Sequence, residues 1–372
     1  MKIAIDTYPL ESGHASRGMG FYVRQLVKAL MEESKKSDNV KIETFNFRKS
    51  GQNLPKYDVV HIPYFDLFFN TLKVNENIKT VVTVADVIPL IYPDKYPSGI
   101  RGSLSLIKQK RELKKANYII TISETSKKDI VRFLGITEEK IKVTYLAPGN
   151  TFIKQSDSVL EKVRKKYDLP KEYVLYVGDV NWNKNIINLI KACKLAHIAL
   201  VIVGKQAKEM DMESSLEAVR GPRDWLRYVK GEAHPEEKHY RKLLSLFEDK
   251  NVYRLGYIDD SDIGPVYQMA NCYCQPSFYE GFGLPLLEAF KAGVPVLASK
   301  TQALVEIGGE AAIYFDPYSV KDMAAKIRKL IKDKGMQISL TKKGKQRLAD
   351  FSWEKVARET IKVYKDTSRG RI

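Results

Sequence analysis

Short apolar or β-branched runs alternate with amphipathic stretches along almost the whole chain. Lys2-Ile3-Ala4-Ile5 reads as a buried strand, and residues 20–31 follow with Val23, Leu26, Val27 and Leu30 at helical spacing. Val59-Val60-His61-Ile62 and residues 80–84 and 118–122 predict further strands, while 104–115 and 124–134 predict helices, the first of them basic. Strands that are apolar on both faces and alternate with helices belong to a parallel sheet covered on both sides.

The rhythm restarts after a seam. Ala147-Pro148-Gly149-Asn150 is turn chemistry, and the polar stretch to about Ser158 reads as a linker. Strands at 173–177, 199–203, 252–255 and 272–275 then alternate with helices at 186–195 and 235–247 and one containing Ala289. The organisation expected is α/β: two doubly wound Rossmann-like domains, 1–150 and 151–352, facing a central cleft. Ligands of such sheets sit beyond the carboxyl ends of the strands. A closing helix carries Trp353, Val356, Ala357, Ile361 and Tyr364 on one side. Residues 353–372 are grouped with the first domain, although periodicity alone equally allows a last core helix of the second.

Composition narrows the class. The chain has 372 residues, 44% apolar and 29% charged, which suits two globular domains and excludes disorder, collagen or coiled coil as whole-chain descriptions. No apolar run approaches the roughly 18 residues of a membrane span, and the start, Met1-Lys2-Ile3-Ala4-Ile5-Asp6, has no apolar stretch of signal-peptide length. Three cysteines make no disulfide framework, so a cytoplasmic setting is expected. The net charge of +17 is spread over both halves. It admits nucleic acid, an acidic membrane face, an anionic substrate or simply a lysine-rich surface. No zinc-finger spacing or single-strand-binding aromatic signature accompanies it, so no nucleic-acid partner is expected.

The densest chemistry is Pro276-Ser277-Phe278-Tyr279-Glu280-Gly281-Phe282-Gly283-Leu284-Pro285-Leu286-Leu287-Glu288-Ala289. A strand ends, a glycine-bearing loop follows, and a helix begins near Leu284 or Pro285 and ends at Gly293. Proline suits a first helical turn, and the helix N-terminus can hold a phosphate. Glu280 and Glu288 can both face one ligand, as acceptors for sugar or ribose hydroxyls. Read singly, Glu288 is a dipole-favoured acid and the glycines make a turn; the joint pattern favours a site. Gly178-Asp179-Val180-Asn181-Trp182-Asn183-Lys184-Asn185 is a second strand-loop-helix junction, where Lys184 is either a point charge for a diphosphate or a solvated lysine. Cys272 and Cys274 lack a second pair for zinc. The five histidines lack ligand spacing, Asp260-Ser261-Asp262 reads as a helix cap, and no Gly-x-Ser-x-Gly is present. No metal and no cofactor are expected.

The spacing from Glu280 to Glu288 around Gly-Phe-Gly-Leu-Pro resembles the paired-glutamate signature of the retaining glycosyltransferases of family 4, which have the GT-B fold of two Rossmann-like domains. Asn183-Lys184-Asn185 resembles that family's diphosphate loop. The likeness continues through residues 201–204 and 255–258, Asp86 with Ile88-Pro89-Leu90, residues 123–130 and Phe351-Ser352-Trp353-Glu354, nearly the whole chain. Its bacterial mannosyltransferase members look nearest. On that likeness 1–150 is the acceptor-side domain and 151–352 the nucleotide-sugar donor domain. The resemblance implies that Lys184 contacts the donor diphosphate and that Glu288 binds the ribose. Glu280, with the backbone of Gly281, Phe282, Gly283 and Leu284, would hold the transferred sugar and β-phosphate, and the backbone at Tyr257 and Ile258 would meet the base. Gly18 and Gly20, in Arg17-Gly18-Met19-Gly20, would form a loop over the phosphates, although Gly-x-Gly alone is also a plain turn.

The chain departs from the family in having Ala85-Asp86 where many relatives have His-Asp, which leaves Asp86, or His61, to serve near the reacting sugar. Arginine is also absent at 179 and 183. The activity expected is metal-independent transfer of a hexosyl group with retention; the resemblance favours mannose from GDP-mannose, while glucose, galactose and N-acetylglucosamine donors occur on the same motif set. The acceptor would be a hydroxyl of a glycan or lipid-linked glycan in polysaccharide biosynthesis. A binding protein that kept the fold is the alternative, and a nucleic-acid binder a more distant one. The helix around Lys110, Arg111 and Lys114 suggests at most weak peripheral contact with the inner face of the cell membrane, since no large apolar face is evident from the sequence.

Overall fold

A computed structural model describes residues 1–11, 18–36, 39–47, 57–149, 151–209 and 235–370. Arg17, His14, His234 and the seam residue Asn150 lie outside them. The chain divides into two compact units. The first comprises Met1–Pro93, Pro97–Ala147 and Phe351–Ile372, the second Asp94–Tyr96 and Pro148–Asp350.

In the first unit β1 (Lys2–Asp6), β2 (Lys41–Phe45), β3 (Val59–Ile62), β4 (Thr80–Thr83), β5 (Tyr118–Thr121) and β6 (Ile141–Val143) form one sheet in the order β2-β1-β3-β4-β5-β6. Every pairing is parallel. All residues of β4 and β5 are buried, as expected for strands covered on both faces. The helix Gly18–Ser34 buries Val23, Leu26 and Leu30. The closing helix, Trp353–Ser368, packs beside it and over β3, β4 and β5. Ser352 starts that helix by accepting a hydrogen bond from the Lys355 N–H at 3.1 Å.

A buried polar chain fixes the closing helix to this sheet. His61 Nδ1 lies 2.6 Å from the Tyr364 hydroxyl, and His61 Nε2 lies 2.8 Å from Thr83 Oγ1, which in turn meets the Tyr22 hydroxyl at 3.1 Å. Burial pushes the imidazole down to about 3, so it is neutral at any physiological pH. Both of its nitrogens are engaged in packing, which removes His61 as the stand-in for the histidine missing at Ala85.

In the second unit β7 (Tyr173–Val177), β8 (Ala199–Val203), β9 (Val252–Gly256), β10 (Cys272–Gln275), β11 (Val296–Ser299) and β12 (Ala312–Phe315) form a parallel sheet ordered β12-β11-β10-β7-β8-β9. Its core joins Val174, Leu200, Ile202 and Leu297 to helix residues such as Leu189, Ile190, Leu243 and Ile327. Cys193, Cys272 and Cys274 are buried here, and burial raises each thiol far from reactivity. The chain leaves β7 toward β8 and β9, then returns to the other side of β7 to build β10, β11 and β12. The direction of winding therefore reverses between β7 and β10, and the crevice beyond their carboxyl ends is where such a sheet takes its ligand.

Candidate functional site

The loop leaving β7 is tied down by asparagines. Residues Trp182–Lys184 form one tight turn, and Asn185 sits in the left-handed region at φ 58° before the helix Ile186–Ala196. Asn185 is buried, and its side-chain amide donates to the carbonyls of Pro276 (2.9 Å) and Pro317 (2.8 Å). Asn183 is buried as well. Its Oδ1 accepts from the Tyr96 hydroxyl at 2.6 Å, its Nδ2 donates to Tyr279 O at 3.2 Å, and its carbonyl accepts from Phe278 N at 2.7 Å. The two junctions at the switch point are thus bonded to each other. Close approach at the strand ends also matters: a Cβ on Gly204 would lie 2.2 Å from the Gly178 carbonyl.

The loop leaving β10 delivers Glu280 into this frame. Lys184 Nζ donates to both of its oxygens, at 2.8 and 2.9 Å. Ser277 Oγ and Gln275 Nε2 also donate to Oε1, at 2.6 and 2.7 Å. The carboxylate is nearly buried, and the lysine side chain is 23% exposed, so the pair is paid for by this ring of donors. Lys184 is therefore not a solvated surface charge. Gly283 follows at φ 104°, where a Cβ would stand 2.6 Å from Leu304 Cδ2, and the helix Leu284–Ala292 starts at the next residue. Pro285 lies in its first turn, and Gly293 ends it at φ 77°. Gly281, Phe282 and Gly283 are buried around the helix N-terminus, an arrangement suited to an anion.

Glu288 lies about one turn inside that helix, partly buried, and accepts from the Tyr267 hydroxyl at 3.0 Å. Burial pushes its carboxyl up to about 7, against a smaller downward pull from the Tyr267 hydrogen bond. The Tyr273 phenol on β10 feels both Glu280 and Glu288, so one buried ring lies within electrostatic reach of the two acids. Tyr273 also donates to Gln275 Oε1, which fixes that amide with its N–H groups toward Ser277 and Glu280. Gln275 and Tyr267 escaped the sequence reading, and Ser277 and the paired asparagines lie in the motifs it singles out but without a role of their own. A polar Gln275 at the end of an otherwise apolar buried strand was the available signal, because such a group must find a partner.

The remaining residues are placed as follows. Gly18 and Gly20 fall in the first turn of the helix Gly18–Ser34, Gly20 buried, so neither is a loop glycine. Asp86 belongs to the first unit, where its Oδ1 accepts from the Ile88 N–H at 3.1 Å at the start of the short helix Ile88–Ile91. Tyr257 follows β9 and is 65% exposed, whereas Ile258 is buried. Asp262 is not a simple cap: it accepts from Lys166 Nζ (2.7 Å) and the Tyr167 hydroxyl (2.9 Å). The basic helix spans Gly99–Lys115, and its outer side carries Ile100, Leu104 and Ile107, 84%, 64% and 50% exposed. The apolar row that was not evident from the sequence thus exists. Among the described residues no helix is long and apolar enough to cross a membrane.

The strand-end crevice thus holds a carboxylate-bound lysine beside a helix N-terminus, and comparison with known proteins gives the class. The family of glycosyl transferases group 1 matches residues 160–347. The O-antigen chain mannosyltransferase B of Escherichia coli is 30% identical over 296 residues, 77% of this chain and 70% of that protein. The serotype-specific mannosyltransferase WbdA of Escherichia coli is 26% identical over 293 residues, 77% of this chain but only 33% of that longer protein. The sucrose-phosphate synthase of Thermosynechococcus elongatus superposes with a TM-score of 0.70 at 19% identity, covering 98% of each chain, which establishes the shared GT-B fold. The chain belongs to the glycosyl transferases group 1, and it is a glycosyltransferase.

Proposed function

We propose that this chain is a family 4 retaining mannosyltransferase. It takes mannose from a nucleotide diphosphate sugar, GDP-mannose by preference, and passes it to a hydroxyl of a glycan or lipid-linked glycan. The observation that carries the reading is the Lys184–Glu280 pair, held at the switch point beside the N-terminus of the helix Leu284–Ala292. Lys184 and the helix N-terminus supply the positive charge that a departing diphosphate needs, so the transfer requires no metal ion and no cofactor. The sugar C1–oxygen bond to the diphosphate breaks, the acceptor oxygen bonds to C1 on the same face, and the acceptor proton passes to the leaving diphosphate. Glu280 holds the sugar, and Glu288 accepts from the ribose hydroxyls. The curated mannosyltransferase relatives support mannose over other hexoses.

The acceptor and the site of action follow from the same reading. The exposed row of Ile100, Leu104 and Ile107, continued by exposed Arg111, Lys114 and Lys115, suits shallow contact with an anionic bilayer, and a lipid-linked acceptor at the inner face of the cell membrane fits it. Thermal stabilisation across nucleotide sugars identifies the donor, because a ligand of the folded state raises its stability by mass action. Transfer of labelled mannose to an acceptor extract, with the product anomer read by NMR, then tests the chemistry. Binding without transfer would assign the chain a binding role, and neither binding nor transfer with any nucleotide sugar would refute the proposal.

A further inference from the structure

Three aromatic rings form a ladder beside the candidate site. Trp182 stacks on Phe278 with ring centres 4.9 Å apart, and Phe278 stacks on Tyr318 at 5.0 Å, each pair inclined by 26°. Trp182 lies two residues before Lys184 and Phe278 two before Glu280, so the ladder is built on the same two junctions. Lys95 Nζ sits over the Trp182 ring, 5.3 Å from its centre, which occupies one end. At the other end Tyr318 is 67% exposed.

Tyr318 is held in place despite that exposure. Its N–H donates to Asp316 Oδ1 at 2.9 Å, and Asp316 N donates to Asp322 Oδ2 at 3.0 Å. The Pro317 carbonyl accepts from Asn185, and Ser319 accepts from Asp322 N at 3.1 Å to start the next helix. A large ring fixed by its loop and stacked on one face presents preorganised contact area at little entropic cost. Pro317 beside it is buried and Asp316 and Ser319 are polar, so residues 316–319 add no exposed apolar side chain to the ring and no contiguous apolar patch of the kind a lipid or protein surface requires. One flat ring bordered by polar groups matches a pyranose, which has one apolar C–H face and a rim of hydroxyls.

Strand order decides which sugar. Tyr257 follows β9 at one edge of the sheet, and Tyr318 follows β12 at the opposite edge. At about 4.8 Å per strand, β12 lies about 10 Å beyond β10 and about 24 Å from β9. With the base at the β9 edge and the diphosphate at β7 and β10, as the family resemblance implies, Tyr318 stands on the side of the diphosphate away from the base. We propose that the Trp182–Phe278–Tyr318 ladder is a sugar-stacking platform for a pyranose of the acceptor glycan, with Tyr318 as the contact ring. The proposal rests on the glycosyl-transfer reading and adds to it a glycan subsite on the second unit, where the sequence leads one to expect only the donor.

The test is direct binding of α-linked mannotetraose and, separately, of GDP-mannose to the full chain and to Tyr318→Ala, Tyr318→Phe and Tyr318→Trp. Tyr318→Ala should weaken mannotetraose about three- to tenfold, the usual worth of one aromatic stacking contact. Phe and Trp should retain binding, and GDP-mannose affinity and melting temperature should stay at parent values in all three. Unchanged mannotetraose affinity in Tyr318→Ala, or a parent chain that does not bind the tetraose, overturns the platform. Parallel loss of GDP-mannose also overturns it, by giving the ring to the nucleotide. A parent that binds mannotetraose through Tyr318 but no nucleotide sugar would uphold the platform and sink the donor reading instead.

Discussion

Glu288 offers a test in which affinity and stability move in opposite directions. Its carboxyl is pushed up from 4.5 to about 7 by burial, so at about pH 6 it is mostly protonated and at about pH 8 mostly ionised. Ribose hydroxyls donating to it would stabilise the ionised form, so binding must expel a proton at the lower pH. If the bound group returns to its ordinary value, nucleotide-sugar affinity should rise about tenfold between pH 6 and pH 8, with about one proton released at pH 6. A nucleotide sugar is the right ligand because its diphosphate is esterified at both ends and does not titrate in this window. Calorimetry in two buffers of different ionisation enthalpy measures both quantities. Glu288→Gln should flatten the profile and bind about fivefold more weakly at pH 8, where a charge-assisted hydrogen bond is replaced by a neutral one. Stability should run the other way. The folded state holds this proton more tightly than the unfolded chain, so the group's contribution falls as pH rises from about 4.5 to about 7. The rise in pKa sets a ceiling of about 3 kcal/mol on that loss, less for a side chain still partly open to solvent. Glu288→Gln should therefore melt above the parent at pH 8 and level with it at pH 4. A parent whose affinity is flat from pH 6 to pH 8, or a variant that keeps the slope, would refute the assignment of Glu288 to the ribose.

The other expectations are simpler. Lys184→Ala should lower turnover about ten- to a thousandfold, the range for one group on developing charge. Its fold should survive because Ser277 and Gln275 still hold Glu280; wild-type turnover with the donor identified by stabilisation would remove Lys184 from the chemistry. Tyr364→Phe strips the partner from the buried His61 Nδ1 and should cost about 1–3 kcal/mol in denaturant unfolding, so an unchanged midpoint would show that the buried chain does not secure the closing helix. Co-sedimentation with anionic liposomes at low salt should fall on changing Ile100, Leu104 and Ile107 to Ser and on reversing Arg111 and Lys114 to Glu. Binding that ignores both sets would dismiss the peripheral contact.

The parts of this molecule that its sequence reveals are those decided by short-range patterning. Strands at Val59–Ile62, Tyr173–Val177, Ala199–Val203 and Cys272–Gln275 fall on runs buried on both faces, which only a covered parallel sheet accommodates. The edge strand Lys41–Phe45, with its charged and half-exposed positions, and the three-residue Ile141–Val143 carry too little of that pattern to stand out. The acids at 280 and 288 and the lysine at 184 were legible because each stands at a strand-loop-helix junction. Their relation to one another was not. Lys184 and Glu280 are 96 residues apart, and they meet because β7 and β10 are neighbours in the sheet although β8 and β9 come between them in the chain. His61 and Tyr364 are 303 residues apart, and only the packing of the closing helix over β3 turns that histidine from a chemical candidate into a structural one. In both cases long-range strand and helix order decides which neighbour a polar side chain receives. That neighbour then decides its role: the same order sets Lys184 against a carboxylate at the switch point and His61, kept neutral by burial, between two hydroxyls in the interior.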